Sequence, residues 1–103
     1  MISSINHKTF NHINSSPKYF SDGGLTFLYK SCDDNCLGFV LPKRLGAAHE
    51  RNRFKRRCRS IFQTMNREMS LSNVGLIIKT KRVDVPYKNI NNAFSKLSNN
   101  IIL

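Results

Sequence analysis

The residues with the clearest chemical character form one run of positive charge. In "RNRFKRRCRS", residues 51–60, six of the first nine side chains are basic, and five of those six are arginine. The arginine guanidinium is a planar fork of N–H donors that can bind two oxygens of one phosphate. Asn52 adds an amide that can hydrogen-bond the edge of a base. This run therefore has the residue types that bind a nucleic acid.

The charge of the whole chain is concentrated around this run. Seventeen Lys and Arg stand against six Asp and Glu, which gives a formal charge of +11 over 103 residues. Residues 43–59 contain eight of the bases and one acid, Glu50. An ordinary solvated helix face alternates charges to form pairs between positions i and i+4, and this segment lacks the acids to do so. The pattern favours a polyanionic partner over a solvated face.

Groups that could catalyse RNA cleavage are poorly placed in the sequence. A nuclease that uses two metal ions needs several converging carboxylates, and the only close pair, Asp33 and Asp34, falls in an expected turn. A metal-free nuclease needs a pair of histidines as base and acid. His7 and His12 are five residues apart, a poor spacing for one site on a helix, and His49 lies beside the basic run. We predict that the protein itself has no catalytic residues.

The cysteines predict neither a disulfide framework nor a metal site. Cys32 and Cys36 have the spacing C-x-x-x-C, but no second pair or nearby histidine completes the four ligands of zinc. Cys58 falls on an apolar stripe.

The chain starts without a signal-like pattern and has no apolar run of the ~20 residues that cross a bilayer. We expect a cytoplasmic protein with reduced thiols.

The basic run lies on a predicted helix over residues 47–69, with Gly46 as its N-cap. The apolar residues of this helix recur at steps of three and four, within an arc of about a quarter of its circumference. Burying each large apolar side chain stabilises by ~1.5–3 kcal/mol, whereas a like-charge pair at i,i+4 costs ~0.2–0.5 kcal/mol. Packing therefore outweighs repulsion. The residues of this apolar stripe are Phe54, Cys58, Ile61, Phe62, Met65 and Met69.

The remaining elements predict an α+β protein with one domain over residues 1–103. Turn-forming residues separate the two strands before the basic helix, and we predict that these strands pair as a hairpin. The predicted elements are a short helix around Ile5, Phe10 and Ile13, strands over residues 25–30 and 36–41, the basic helix, a strand over residues 74–79, and a last helix after Pro86.

The segment "GFVLPKRLGAAHERNRFKRRCRSIF", residues 38–62, resembles the signature of the bacterial ribonuclease P protein component. That signature has Gly-Phe in a strand, a basic pair, a glycine followed by a small residue, then R-N-R-x-K-R-x-x-R and an aromatic. The resemblance covers nearly the whole chain and is strongest over residues 37–62. The matching residues are Gly38, Phe39, Lys43, Arg44, Gly46, Ala48, Arg51, Asn52, Arg53, Lys55, Arg56, Arg59 and Phe62.

This resemblance implies both a fold and a role. The fold is a single α/β sandwich in the order α-β-β-(β)-α-β-α, in which the basic helix makes a left-handed βαβ crossover. The role is that of a subunit of a ribonucleoprotein endoribonuclease that removes the 5′ leader from precursor tRNA. A catalytic RNA with bound divalent metal, Mg, performs the hydrolysis, so the protein alone binds no cofactor. The implied partners are the catalytic RNA and precursor tRNA, with no membrane and no DNA.

The resemblance also implies two sets of binding residues. Phe10 and Tyr29 match positions that stack bases of the single-stranded leader in a cleft. Phe10 could equally be a core residue of the first helix, and Tyr29 an ordinary strand aromatic. Asn14 stands where the family often has a second aromatic, whose place Tyr19 or Phe20 could take. The residues implied to contact the catalytic RNA are Lys43, Arg44, Arg51, Asn52, Arg53, Lys55, Arg56 and Arg59.

Two other functions are compatible with the composition. A non-enzymatic structural RNA-binding protein, such as a small ribosomal protein, has a similar size and charge. A nuclease made of protein alone is a further alternative, although the chain is poor in carboxylates. Cleavage of precursor tRNA that requires the RNA and is accelerated by the protein is expected only of the ribonuclease P subunit.

Overall fold

The computed structural model describes residues 3–69 and 73–102. Within these residues a five-stranded sheet has one short helix on one face and two longer helices on the other. From α1 onward, the order of elements implied by the resemblance is confirmed, including the third strand before the basic helix; a two-residue strand, β1, precedes α1. The elements are β1 (Ser3–Ser4), α1 (His7–Asn14), β2 (Lys18–Asp22), β3 (Leu25–Ser31), β4 (Cys36–Val40), a 3₁₀ turn (Lys43–Leu45), α2 (Ala48–Met69), β5 (Val74–Thr80) and α3 (Tyr87–Ile102).

The sheet order is β1-β4-β5-β3-β2, with β5 in the centre. Strands β4 and β5 are parallel neighbours, and α2 connects them as a crossover. The predicted hairpin between β3 and β4 is wrong, because β5 lies between them. Residues 75–78 of β5 are buried without interruption, as expected of a strand covered on both faces. The true hairpin joins β2 to β3 through Gly23 and Gly24, both of which have positive φ.

Helices α2 and α3 cover one face of the sheet. Each of the five described side chains of the apolar stripe is at most 7% exposed, which confirms that the stripe faces the core. The side chain of Met69 lies outside the described residues. From α3, the Phe94 ring lies 5.0 Å from that of Phe27 and 6.4 Å from that of Phe62, measured between ring centroids. The basic helix is therefore held by a continuous apolar core.

Helix α1 covers part of the opposite face over a smaller apolar cluster. Ile13 of α1 packs with Leu28, Cys36 and Ile77 of the strands, and Phe10 is half-buried beside them. The Lys30 ammonium donates to the carbonyl of Ser15 just past the end of α1, which satisfies a backbone acceptor there. In the described part of the chain, no helix is long and apolar enough to cross a membrane.

Two buried thiols are kept neutral by the fold. Burial raises the pKa of Cys58 to about 12, against a lowering effect of Arg59. Burial and the neighbouring Cys32 raise the pKa of Cys36 to about 12 as well. An unperturbed thiol has a pKa of 9.0, so between pH 9 and pH 12 the folded state keeps protons that the unfolded state has released. This contribution to stability is complete below pH 9 and is lost as the pH rises toward 12.

We predict that Cys58→Ala makes the alkaline loss of stability shallower. One thiol with a raised pKa contributes about 1.4 kcal/mol per pH unit to the slope. The free energy of unfolding, measured by urea titration from pH 8 to pH 11, should be lower in the variant at pH 8, because a core side chain is truncated. Above pH 9 it should then fall less steeply than in the wild type. Parallel curves would contradict the burial of an un-ionised thiol.

Candidate nucleic-acid interface

The start of α2 differs by one residue from the prediction. The Ala47 carbonyl accepts from the N–H groups of Glu50 and Arg51, each at 3.0 Å, so Ala47 and not Gly46 is the N-cap. The Glu50 carboxylate accepts in turn from the Ala47 N–H at 3.0 Å, half of a capping box that compensates for the missing side-chain cap of alanine. Gly46 ends the preceding 3₁₀ turn instead.

Gly46 is required where the chain enters α2. Its φ of +153° is one that other residues rarely adopt, and a Cβ there would lie 3.2 Å from both Glu50 Oε1 and Val83 Cγ2. The same corner places the basic pair Lys43 and Arg44, both exposed, on the 3₁₀ turn directly before α2. The eight residues predicted to bind RNA thus lie on two consecutive elements, the turn and the helix.

The outward side of α2 has the basic character that was predicted. Arg51, Lys55 and Arg57 are half-buried beside the apolar stripe. Their aliphatic stems can lie along the core edge while the charged ends stay in water. The remaining polar residues of the run are exposed, and these are Asn52, Arg53, Arg56, Arg59 and Ser60.

The positive charges of α2 have no carboxylate partners among residues 3–69 and 73–102. The ion pairs in this part of the protein are Arg82 with Asp84, at 2.8 Å, and Lys96 with Asp22, at 3.1 Å. Glu50, the only acid within residues 43–59, accepts a hydrogen bond from the Ala47 N–H at the helix start. Arg51 donates from Nε to the Gly46 carbonyl at 3.3 Å. The positive charge of this face is consequently not neutralised by nearby carboxylates, and its electrostatic potential attracts a polyanion.

The structure does not bring together the two residues predicted to bind the leader. Phe10 belongs to the apolar cluster under α1. Tyr29 packs against the core of the opposite face, in line with the buried side chains of Leu25 and Phe27 on the same strand. Successive residues of a strand point to opposite faces, so a shift of one position decides which face an aromatic reaches. Tyr29 and Phe10 therefore do not line one cleft.

Tyr19 is the aromatic that the α1 face presents instead. It lies on β2 opposite Leu28, on the same face as Phe10, and its side chain is 66% exposed. Phe20 pairs with Phe27 on the other face, and their rings are stacked at a centroid distance of 6.3 Å. Tyr19 and Phe20 point to opposite faces because side chains alternate along a strand. The residue pattern did not predict β2, so this alternation could not be read from the sequence.

A side-chain amide that the sequence did not single out anchors the far end of α2. Asn35 donates from Nδ2 to Asn66 Oδ1 of α2 at 2.9 Å. Its Oδ1 accepts from the N–H of Val74, the first residue of β5, also at 2.9 Å. One residue in the turn before β4 thereby connects the end of the basic helix to the strand that follows it.

The candidate catalytic groups do not all lie together. His12, Asp33 and Asp34 line one cavity, whereas His49 belongs to α2. His12 Nε2 lies 3.0 Å from the Ser31 carbonyl, whereas His7 Nε2 lies 3.2 Å from Asn11 Nδ2. His49 is exposed in the first turn of α2. Across the described residues, no three His, Cys, Asp or Glu side chains come together in a way that could hold a metal ion.

The structure is that of a small α+β protein, in which two parallel strands of a mixed sheet are joined by a helix whose outward basic face has no carboxylate partners among the described residues. The Ribonuclease P family model matches residues 5–101, and the chain belongs to this family. Its role is that of the bacterial ribonuclease P protein component, in tRNA processing. The resemblance drawn from residues 37–62 is thereby confirmed, and nothing favours a ribosomal protein.

Solved structures share this fold at low sequence identity. The ribonuclease P protein of Staphylococcus aureus superposes with a TM-score of 0.79 at 19% identity, covering 98% of this chain and 96% of that one. The ribonuclease P protein of Thermotoga maritima gives a TM-score of 0.73 at 20% identity, covering 88% and 89%. No curated protein sequence matches the chain significantly.

Proposed function

We propose that this protein serves its ribonucleoprotein through two surfaces on opposite sides of the sheet. The basic face of α2, with Lys43 and Arg44, binds the catalytic RNA. The α1 side binds the 5′ leader of precursor tRNA. The observation on which the proposal depends is the row of exposed arginines on α2, which have no carboxylate partners among the described residues, set against the five buried, described side chains of the apolar stripe.

Binding of the catalytic RNA is supported by the geometry of α2. The guanidinium groups of Arg53, Arg56 and Arg59 are exposed and have no protein acceptors within the described residues, so all their N–H donors are available to phosphate oxygens. The helix is rigidly packed beneath them, so little order has to be gained on binding. Asn52 lies four residues before Arg56 and can contact a base edge beside the bound phosphates.

Binding of the leader is supported by the composition of the α1 face. Tyr19 offers an exposed ring for stacking and lies opposite Leu28 on the neighbouring strand. Phe10 is half-buried against the apolar cluster that contains Leu28. Lys79 lies on the same face at the end of β5, between Thr26 and Val40, and is exposed. An aromatic platform beside a positive charge is what a single strand requires. We therefore propose Tyr19, Phe10 and Lys79 as the leader-binding residues, in place of the pair Phe10 and Tyr29.

The chemistry is assigned to the RNA. Among the described residues, no three His, Cys, Asp or Glu side chains could hold a metal ion, whereas a folded RNA can hold divalent metal at its own phosphates. In this proposal the protein binds no cofactor, Mg²⁺ enters with the catalytic RNA, and the holoenzyme is an endoribonuclease that acts in the cytoplasm.

A reconstitution assay tests the proposal directly. Precursor tRNA is incubated in low magnesium with the protein, with the ribonuclease P RNA, and with both. Cleavage at the 5′ end of the mature tRNA should require the RNA and should be faster with the protein present, because the protein adds leader contacts and phosphate neutralisation. Cleavage by protein alone would indicate a protein nuclease. Unchanged cleavage by the RNA would indicate a purely structural RNA-binding protein.

Affinity for the ribonuclease P RNA should depend steeply on salt. If about five bases of α2 each neutralise one phosphate, the plot of log K against log salt should have a slope of about −3.5 to −4.5. Arg53→Ala should weaken binding and make the slope shallower by about 0.7–0.9, the share of one phosphate. Lys88→Ala, an exposed base of α3, is the matched control and should match the wild type. A flat salt response would contradict the electrostatic interface.

Leader binding should depend on Tyr19. Tyr19→Ala should weaken binding of precursor tRNA with a long leader by about 1–3 kcal/mol, the loss of one stacked base. Binding of leaderless tRNA should be unchanged. Tyr87→Ala removes a second exposed tyrosine, on α3, and should have no effect on either substrate. Tyr29→Ala should lower Tm without a leader-specific defect, and equal defects in the Tyr19 and Tyr87 variants would contradict the site.

A further inference from the structure

Two of the three cysteines lie together on the α1 face. Cys32 follows β3 and Cys36 begins β4, and both pack in the apolar cluster under α1. They also line one cavity of about 640 Å³, whose wall includes Lys8 and His12 of α1. Cys58 belongs to the separate core under α2. The proposed RNA-binding functions use neither Cys32 nor Cys36.

Gly75 is the residue that allows the two thiols to approach. Cys36 is its direct neighbour on β4, and neighbouring strands lie about 4.8 Å apart. Cys32 Sγ occupies the space that a Cβ of Gly75 would fill, beside the Ile13 side chain. The backbone N–H of Cys32 donates to the Asn73 carbonyl at 2.8 Å, which fixes the residue beside the start of β5. Both sulfur-bearing residues are thus held on either side of one glycine.

The two thiols differ in exposure, so a reagent would reach Cys32 before Cys36. Cys32 is half-buried and lines the cavity, so it can be reached by a reagent. Cys36 is 4% exposed, and burial together with Cys32 raises its pKa. Cys36 is therefore a poor first nucleophile but is placed to react with a sulfur attached to Cys32.

We propose that Cys32 and Cys36 form a reversible disulfide by exchange with a low-molecular-weight disulfide, such as oxidised glutathione. The Cys32 thiolate attacks one sulfur of the reagent, the reagent's S–S bond breaks, and the released thiolate takes up a proton. The deprotonated Cys36 then attacks the Cys32 sulfur of the mixed disulfide and displaces the second glutathione thiolate, which is protonated in turn. The protein loses two hydrogens and the reagent gains two.

The sequence allows an unambiguous measurement. Trypsin cleaves after Lys30 and Lys43, so residues 31–43 form one peptide that contains both cysteines and not Cys58. The folded full-length protein is equilibrated with mixtures of reduced and oxidised glutathione, quenched with acid, unfolded, alkylated and digested. As the oxidised fraction rises, this peptide should lose both alkylation sites and become lighter by two hydrogens. Added dithiothreitol should restore it.

Matched variants and an unfolded control complete the test. Cys58→Ala should behave as the wild type, whereas Cys36→Ser should stop at a glutathione adduct on Cys32. In urea, half-formation of the disulfide within residues 31–43 should require a ratio of oxidised to reduced glutathione that is about tenfold higher, because the fold no longer holds the two thiols together. Three results would overturn the proposal: two free thiols at every ratio, a stable adduct on wild-type Cys32, or equal behaviour of folded and unfolded chains.

Discussion

Burial of one apolar stripe on α2 is the interaction on which the rest of the structure depends. Phe54, Cys58, Ile61, Phe62 and Met65 are closed off from solvent by the sheet and α3. Each large side chain contributes ~1.5–3 kcal/mol, several times the cost of a repulsive pair on the opposite side. The helix can therefore concentrate positive charge that has no acidic partners among residues 3–69 and 73–102. A chain with neutralising acids on that face would be easier to fold and poorer at holding phosphate.

The central position of β5 determines how the two surfaces are separated. Because β5 pairs with β4 on one side and β3 on the other, α2 must cross over the sheet to connect β4 with β5. That crossover places α2 and α3 on one face and leaves α1 and the exposed Tyr19 on the other. The sheet therefore lies between the basic surface of α2 and the surface that carries Tyr19.

Small residues set the closest approaches in this fold. Gly75 leaves room for Cys32 and Ile13 beside the central strand, and Gly46 lets the chain turn tightly against Val83 before α2. Glu50, the single acid of the basic segment, is used for its carboxylate at the helix start and not for pairing with the arginines. The Glu50 carboxylate is thus bonded to the backbone, and in the described part of the chain it forms no ion pair with the arginines of α2.

The sequence by itself determined α2, its inward stripe, its basic outward side and the family, because helical periodicity and the R-N-R-x-K-R pattern are local. It also indicated α1, β3, β4, β5 and α3 as separate elements. Only the tertiary structure decided that β5 separates β3 from β4, because strand pairing joins residues far apart in the chain. The same holds for Tyr19 and Tyr29, whose faces follow from register, and for the Ala47 cap, which depends on the Glu50 carboxylate. Local periodicity specifies what an element is, whereas non-local pairing specifies which side of the molecule its residues reach.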